Sequence, residues 1–231
     1  MTSHEFRDRL ARRALRANVQ VADAVFDPLE AYFRLLARWN AKINLTALPL
    51  RNPSDETFDR LLVEPLAAAH HVPESAQSWI DLGTGGGSPA IPIKIVHPAL
   101  PLMMVEARAR KTAFLREAIR ALSLERTTAE ATRFEDLAVN PEAMGSADLL
   151  TLRAVRLDAN LFKIAARLLR DGGRLFHFAQ TDLYLDWKPS PMEHGGEFSR
   201  PETVVLTKVP NRSTLLVSYR RVPRGTVTAE T

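Results

Sequence analysis

The hydrophobic pattern changes once along the chain, from helical spacing over about the first seventy positions to short unbroken apolar runs beyond them. Two helices open the chain. In the second, Leu29, Tyr32, Phe33, Leu36, Trp39 and Ile43 fall on one stripe of period 3.6. Asp27, Pro28 and Glu30 precede it in the order of an N-cap, a first helical position and a capping-box acid. A stripe of that size has to bury against another element. A further helix is expected over 61–71, interrupted near Pro65, and a linker over 73–78. From Trp79 the runs 79–82, 102–105, 127–131, 148–152 and 174–178 read as buried strands, with helices over 90–97, 107–122 and 160–169 between them. That alternation predicts a doubly wound, mostly parallel α/β sheet. Two last runs, 203–209 and 214–219, are joined by residues 210–213, a link short enough only for an antiparallel hairpin. The expected organisation is a helical extension over 1–75, an α/β domain over 76–222 and a C-terminal tail over 223–231.

Composition narrows the class. The 231 residues are 45% hydrophobic and 25% charged, which suits one substantial globular domain with an appendage and is too apolar for a disordered chain. Arg34, Arg38, Glu106 and Lys163 interrupt the apolar stretches well short of the roughly 18 residues of a membrane span. Without cysteine there is no disulfide framework, thiolate metal site or thiol nucleophile, and a reducing compartment is permitted. The six histidines form no ligand pattern; His70 and His71 are adjacent and point about 100° apart on a helix, so no metal site is expected. Glu5 and Asp8 among Arg7, Arg9, Arg12, Arg13 and Arg16 speak against a transit peptide, and no apolar segment follows Met1 as in a signal peptide. A cytoplasmic protein is expected.

The net charge is only +4, yet of 31 basic residues just six are lysines, Lys42, Lys94, Lys111, Lys163, Lys188 and Lys208. Arginine offers a planar fork of donors suited to phosphate and stacking on bases, so the bias tilts toward a nucleic-acid partner. For the N-terminal arginines taken alone, a solvated helix face is the commoner role.

After the first strand comes Asp81-Leu82-Gly83-Thr84-Gly85-Gly86-Gly87-Ser88-Pro89, leading into a helix. Glycines there let backbone N–H groups approach a ligand, and the following helix N-terminus favours a negative group. Glu106 ends the second strand nineteen residues after Gly87, where a carboxylate can take both hydroxyls of a ribose. Together these predict an adenosine-containing ligand. Gly85-x-Gly87-x-x-Ala90 fits a dinucleotide fingerprint, while Asp81-x-Gly83-x-Gly85-x-Gly87 fits the loop of S-adenosyl-L-methionine methyltransferases. Asp81 favours the second, since a carboxylate can meet the cofactor's ammonium group and would repel a pyrophosphate.

Three segments, Trp39-Asn40-x-Lys42-x-Asn44-Leu45-Thr46, the glycine loop, and Glu106-Ala107-x-x-Arg110-Lys111-x-x-Phe114-Leu115, resemble one family in order and spacing. The chain resembles the small-subunit ribosomal RNA methyltransferase G family, also called glucose-inhibited division protein B, from about Leu29 to about Leu175, including Arg133-x-Glu135 and Arg153-Ala154. The resemblance implies a Rossmann-like methyltransferase fold with a seven-stranded sheet and a helical extension. It also implies S-adenosyl-L-methionine as cofactor and methylation of a guanine N7 in 16S rRNA, on free RNA or the small ribosomal subunit, with no membrane and no metal. It puts Gly83 and Ser88 at the cofactor, Phe134 and Glu135 at its adenine end and Arg153 at its methionine end. Asn40 and Asn44 become candidates for closing over the target base, and direct transfer to N7 requires no general base. The pattern departs from the family at Leu61, Glu64 and Pro65, where a His-x-x-Asp-Ser stretch is usual, at Ser88 and Ala90 in the glycine loop, and at Ala179-Gln180, where a Lys-Gly pair is expected. An NAD-type oxidoreductase and a cofactor- or RNA-binding paralogue with little turnover are the alternative readings.

Overall fold

The computed structural model describes residues 1–155, 157–180, 197–209 and 212–222. The expected tail, 223–231, lies outside them. The helices of the extension are α1 (Ser3–Arg16), α2 (Asp23–Asn40), α3 (Asp55–Phe58) and α4 (Glu64–Ala69), the last two joined by a π-helical segment, Asp59–Val63. There follow β1 (Trp79–Leu82), α5 (Ala90–Val96), β2 (Leu102–Val105), α6 (Ala109–Ala121), β3 (Thr127–Glu130), α7 (Phe134–Leu137), β4 (Ala147–Arg153), α8 (Ala159–Leu168), β5 (Leu169–Gln180), β6 (Glu202–Val209) and β7 (Arg212–Arg220). All but three of the expected elements match within about two residues. β5 starts earlier, at Leu169, the second helix starts at Asp23 rather than at Pro28, and the helix expected over 61–71 begins at Asp55.

The capping box lies one helix earlier than the sequence suggests. Glu5 N–H donates to Thr2 Oγ1 (3.2 Å) and Thr2 N–H to Glu5 Oε2 (2.7 Å), which starts α1. α2 begins at Asp23, so Asp27 is not its cap and Pro28 sits inside the helix. A proline there forfeits only the early bond to the Ala24 carbonyl, and the buried stripe of Phe26, Leu29, Tyr32, Phe33 and Leu36 outweighs it. Glu30 faces α1 instead, accepting from Ser3 Oγ (2.8 Å) and Arg34 Nε (2.7 Å).

The N-terminal arginines mostly tie helices together. Arg7 pairs with Asp27 (2.7 Å), Arg9 with Asp55 (2.7 Å), and Arg13 with both Asp55 (2.8 Å) and the buried Asp59. Arg12 and Arg16 remain exposed. The expectation of a solvated face holds for these last two, while the others are spent on intramolecular charge pairing.

The seven strands run in the order β3-β2-β1-β4-β5-β7-β6, with β3, β2, β1, β4 and β5 parallel and β7 antiparallel to both β5 and β6. Successive strand residues face opposite sides. Trp79, Leu102, Met104, Leu149 and Phe176 pack with α1, α2, α5 and α6, whereas Ile80, Leu82, Val105, Leu150 and Leu175 pack with Leu137 of α7 and with Leu161 and Phe162 of α8. Strand order reverses between β1 and β4, so the crevice at their carboxyl ends is where an open α/β sheet binds ligands. Among the described residues no helix is long and apolar enough to cross a membrane.

The extension and the sheet share one core. Phe6 of α1, Phe33 of α2 and Phe58 of α3 form a closed triad with ring centroids 5.4 to 5.7 Å apart, in the same buried cluster as Trp79 and Phe176. We therefore propose that residues 1–75 and the sheet unfold together. Phe6→Ala should lower stability by about 3 to 5 kcal/mol in a single urea transition. A separate early transition, with the sheet's midpoint unmoved, would show an independent extension.

Candidate functional site

The turn after β1 is shaped by backbone constraints. Gly83, Gly85 and Gly87 have φ of +69°, +58° and +88°. At Gly87 a Cβ would stand 2.5 Å from Ile91 Cδ1, so a side chain there would have to displace Ile91, and the positive φ favours glycine in any case. The extension holds this turn from outside. Tyr32 Oη donates to the Gly86 carbonyl (2.7 Å), and burial raises the phenol's pKa, keeping it a donor. Leu36 Cδ1 and the Leu45 carbonyl each stand 3.3 Å from the position of a Cβ on Gly86.

Asn40 acts within the same support. Its Oδ1 accepts from the N–H groups of Leu45 (2.8 Å) and Thr46 (2.9 Å), clamping the turn that presses Leu45 on Gly86. Asn44 is exposed, and Trp39 packs on Phe114 with centroids 5.8 Å apart. The candidate asparagines thus divide, with Asn40's oxygen committed to the backbone and Asn44 open to solvent.

Both acids are where the spacing places them. Glu106 is 8% exposed; its Oε2 accepts from Gly85 N–H (3.0 Å) and its Oε1 from Arg108 N–H (2.9 Å). Each carboxylate oxygen therefore keeps lone-pair capacity for a further donor. Asp81 is opposite Thr151 in the β1–β4 register and accepts a hydrogen bond from its hydroxyl, which itself accepts from Trp79 Nε1 (2.9 Å). Burial pushes the Asp81 carboxyl up to about 6, against the lowering effects of Thr151, Thr84 and Arg153.

Arg153, at the end of β4, is buried rather than solvated. Its side chain is 12% exposed, donates through Nη2 to Glu64 Oε2 (2.8 Å) and through Nη1 to the Arg60 carbonyl, and lies 4.5 Å from the Phe178 ring centroid. Ala154 follows with φ +56°, an unfavourable conformation for a non-glycine residue, and Val155 Cγ2 then stands 3.1 Å from a Cβ built on Gly83. Ser88 turns its hydroxyl away from the glycine turn, to the carbonyls of Leu61 (3.1 Å) and Arg60 (3.4 Å). Phe134 is half-buried at the start of α7 beside the exposed Glu135, and Ala179 is buried in β5. Among the described residues no group of three or more His, Cys, Asp or Glu could hold a metal ion. Sequence reasoning missed Tyr32, Thr151 and Lys111, whose Nζ stands 3.9 Å from a Cβ built on Gly85. Only Lys111 carried a signal, its place in the Arg-Lys-x-x-Phe-Leu segment.

Comparison with known proteins agrees with this architecture. The family model for GidB, the rRNA small subunit methyltransferase G, matches residues 26–184. The chain belongs to this family. The Xanthomonas axonopodis pv. citri ribosomal RNA small subunit methyltransferase G is 41% identical over 164 residues, covering 71% of this chain and 72% of that protein. The Stenotrophomonas maltophilia (strain K279a) relative of the same name is 38% identical over 159 residues, covering 69% and 71%. Among solved structures, Pyrococcus horikoshii TYW2 in complex with MeSAdo aligns with a TM-score of 0.51 at 17% identity over 68% of this chain and 61% of that one. Geobacter metallireducens precorrin-6y C5,15-methyltransferase aligns with a TM-score of 0.50 at 13% identity over 78% and 92%. These structures share the fold: a mostly parallel seven-stranded sheet of the Rossmann-like methyltransferase type.

The Asp81 shift has a measurable sign. An acid raised from 3.8 to about 6 binds its proton more readily when folded. Its contribution to stability is full below about pH 4 and is lost as pH rises through 6. Asp81→Asn keeps an oxygen for the Thr151 hydroxyl and removes the titration. Between pH 4 and 7 the wild type should lose about 2 kcal/mol more than this variant in urea unfolding; parallel pH profiles would contradict the assignment.

Proposed function

We propose that the chain methylates small-subunit ribosomal RNA with S-adenosyl-L-methionine as donor, and that the acceptor is a guanine N7 of 16S rRNA. The observation that carries the reading is the buried Glu106 carboxylate bonded to Gly85 N–H at the switch point of the sheet, in a chain of this family. Family membership also supports the substrate, since a relative 41% identical bears the rRNA methyltransferase name. A ribosomal RNA or small-subunit substrate would place the protein in the cytoplasm.

The residues present fit this cofactor. Glu106 keeps acceptor capacity for ribose hydroxyls, and a Cβ on Gly85 would occupy the gap between the Gly83 carbonyl (3.7 Å) and Lys111 Nζ (3.9 Å), a cradle that glycine leaves open. Gly83 and Gly87 shape the turn, Asp81 is the acid for an ammonium group, Phe134 and Glu135 are candidates for the adenine end, and Arg153 borders the methionine end. When bound, S-adenosyl-L-methionine supplies a methyl group on a positively charged sulfur. Guanine N7 carries a free lone pair and no proton at neutral pH, so no residue here has to move one. The work left to the chain is to bind, to orient the base in line and to exclude water. In A-form RNA the N7 edge faces a groove too deep and narrow for a protein pocket, so the target guanine should lie unpaired or be opened first.

Glu106→Ala should weaken S-adenosyl-L-methionine binding by roughly ten- to hundred-fold, measured by calorimetry. Binding of NAD in its place would favour the oxidoreductase alternative. With labelled cofactor, tritium should enter small subunits or 16S rRNA. Under saturating single-turnover conditions the rate should stay nearly flat from about pH 7 to 9. A tenfold rise per pH unit in that window would instead indicate base-assisted methylation of another atom.

A further inference from the structure

Four of the residues at which this chain departs from the family pattern, Leu61, Glu64, Pro65 and Ser88, meet at one place. Pro65 has no N–H, so neither the Leu61 carbonyl, its partner in α-helical spacing, nor the Arg60 carbonyl, its partner in π-helical spacing, can be satisfied by it. Both carbonyls accept from elsewhere. Ser88 Oγ donates to Leu61 O (3.1 Å) and Arg60 O (3.4 Å), and Arg153 Nη1 donates to Arg60 O. Next to Pro65, the Glu64 carboxylate is 2% exposed and fully engaged. Its Oε2 accepts from Arg153 Nη2 (2.8 Å), and its Oε1 from Thr214 Oγ1 (2.7 Å) and Thr207 Oγ1 (3.3 Å). The helical extension, the end of β4 and the C-terminal hairpin thus close on one carboxylate.

We propose that Glu64 is a positioning residue acting through Arg153. By pairing with the guanidinium it fixes both the direction and the net charge presented at the carboxyl edge of β4, and so sets the preference of the site for a cationic sulfonium ligand over its neutral-sulfur product. This rests on the S-adenosyl-L-methionine reading above.

A sulfonium is repelled by an unpaired guanidinium nearby, and the repulsion is strong where solvent is excluded. The Glu64 carboxylate cancels that field at its source, leaving the Tyr32 phenol and Asp81 as the other acids that bear on Arg153 and Arg60 as the other cation that does so. S-adenosylhomocysteine has the same nucleoside and amino-acid ends with an uncharged sulfur. It therefore reads every contact except the one between the local charge and the sulfonium. A purely structural Glu64 would affect both ligands alike, whereas a charge-setting Glu64 moves their ratio.

The test is calorimetric titration of the full chain with S-adenosylmethionine and S-adenosylhomocysteine at pH 8. In Glu64→Gln, affinity for S-adenosylmethionine should fall on the order of ten-fold more than affinity for S-adenosylhomocysteine. Glu64→Asp, which keeps the charge, should leave the ratio within about two-fold of wild type, and adding Arg153→Met to Glu64→Gln should restore it. If Glu64→Gln does not fold, as circular dichroism will show, Arg153→Met alone carries the test with the opposite sign, shifting preference toward the sulfonium. Equal weakening of both ligands, or a ratio that ignores Arg153, would overturn the proposal. A wild-type chain that binds neither ligand overturns the cofactor reading instead, so the two failures are told apart.

Discussion

A guanidinium removed from water has to be matched by charge and hydrogen bonds, and Arg153 is the point at which this chain meets that requirement. Its partners come from far apart in sequence: Glu64 and the Arg60 carbonyl from the extension and Phe178 from the neighbouring strand. Glu64 in turn engages Thr207 and Thr214 of the hairpin. Such a buried pair adds little net stability, because desolvation offsets the attraction, but removing one partner strands the other. What it does is join the π-helical segment, the end of β4 and the hairpin, with each of these polar groups given a partner.

The glycine turn is held from the same side by a different device. Tyr32 fixes the Gly86 carbonyl, and Asn40 clamps the 41–46 turn that sets Leu45 against it. The Trp-Asn-x-x-x-Asn-Leu-Thr segment therefore serves the site through packing and backbone geometry. The extension packs on the glycine turn through Tyr32, Leu36 and Leu45, and one buried core runs from Phe6 to Phe176.

The inner parallel strands were legible because strands buried on both faces leave mainly apolar runs, and β1 and β2 match the expected bounds residue for residue, whereas β3, expected as a buried strand, lies at the sheet edge with only Ala129 buried. Asp81 and Glu106 were legible because each follows from a fixed offset to glycines at a strand end. The start of α2 was not, since Asp27-Pro28 has the chemistry of a helix start but lies in a stretch whose apolar stripe already runs past it. The π-helical segment left no periodic signature. The departures at Glu64, Pro65 and Ser88 looked like independent changes in the linear sequence, yet Pro65 leaves unmet the carbonyls that Ser88 takes up. Tyr32 and Thr151 escaped because their partners are 54 and 70 residues away in sequence, and no local pattern encodes such a contact.

If guanine N7 is the acceptor, the base gains a positive charge as it gains its methyl group, so charge is displaced within the crevice rather than created there. Enzymes that develop a new charge need a preorganised counter-field, and that term usually dominates their catalysis. Here the demand is different: a strong uncompensated charge of either sign would favour one end of the displacement over the other. Arg153 closed on Glu64 gives an edge whose guanidinium is already matched. What remains for the protein is geometry, and the rigid supports of the glycine turn provide it.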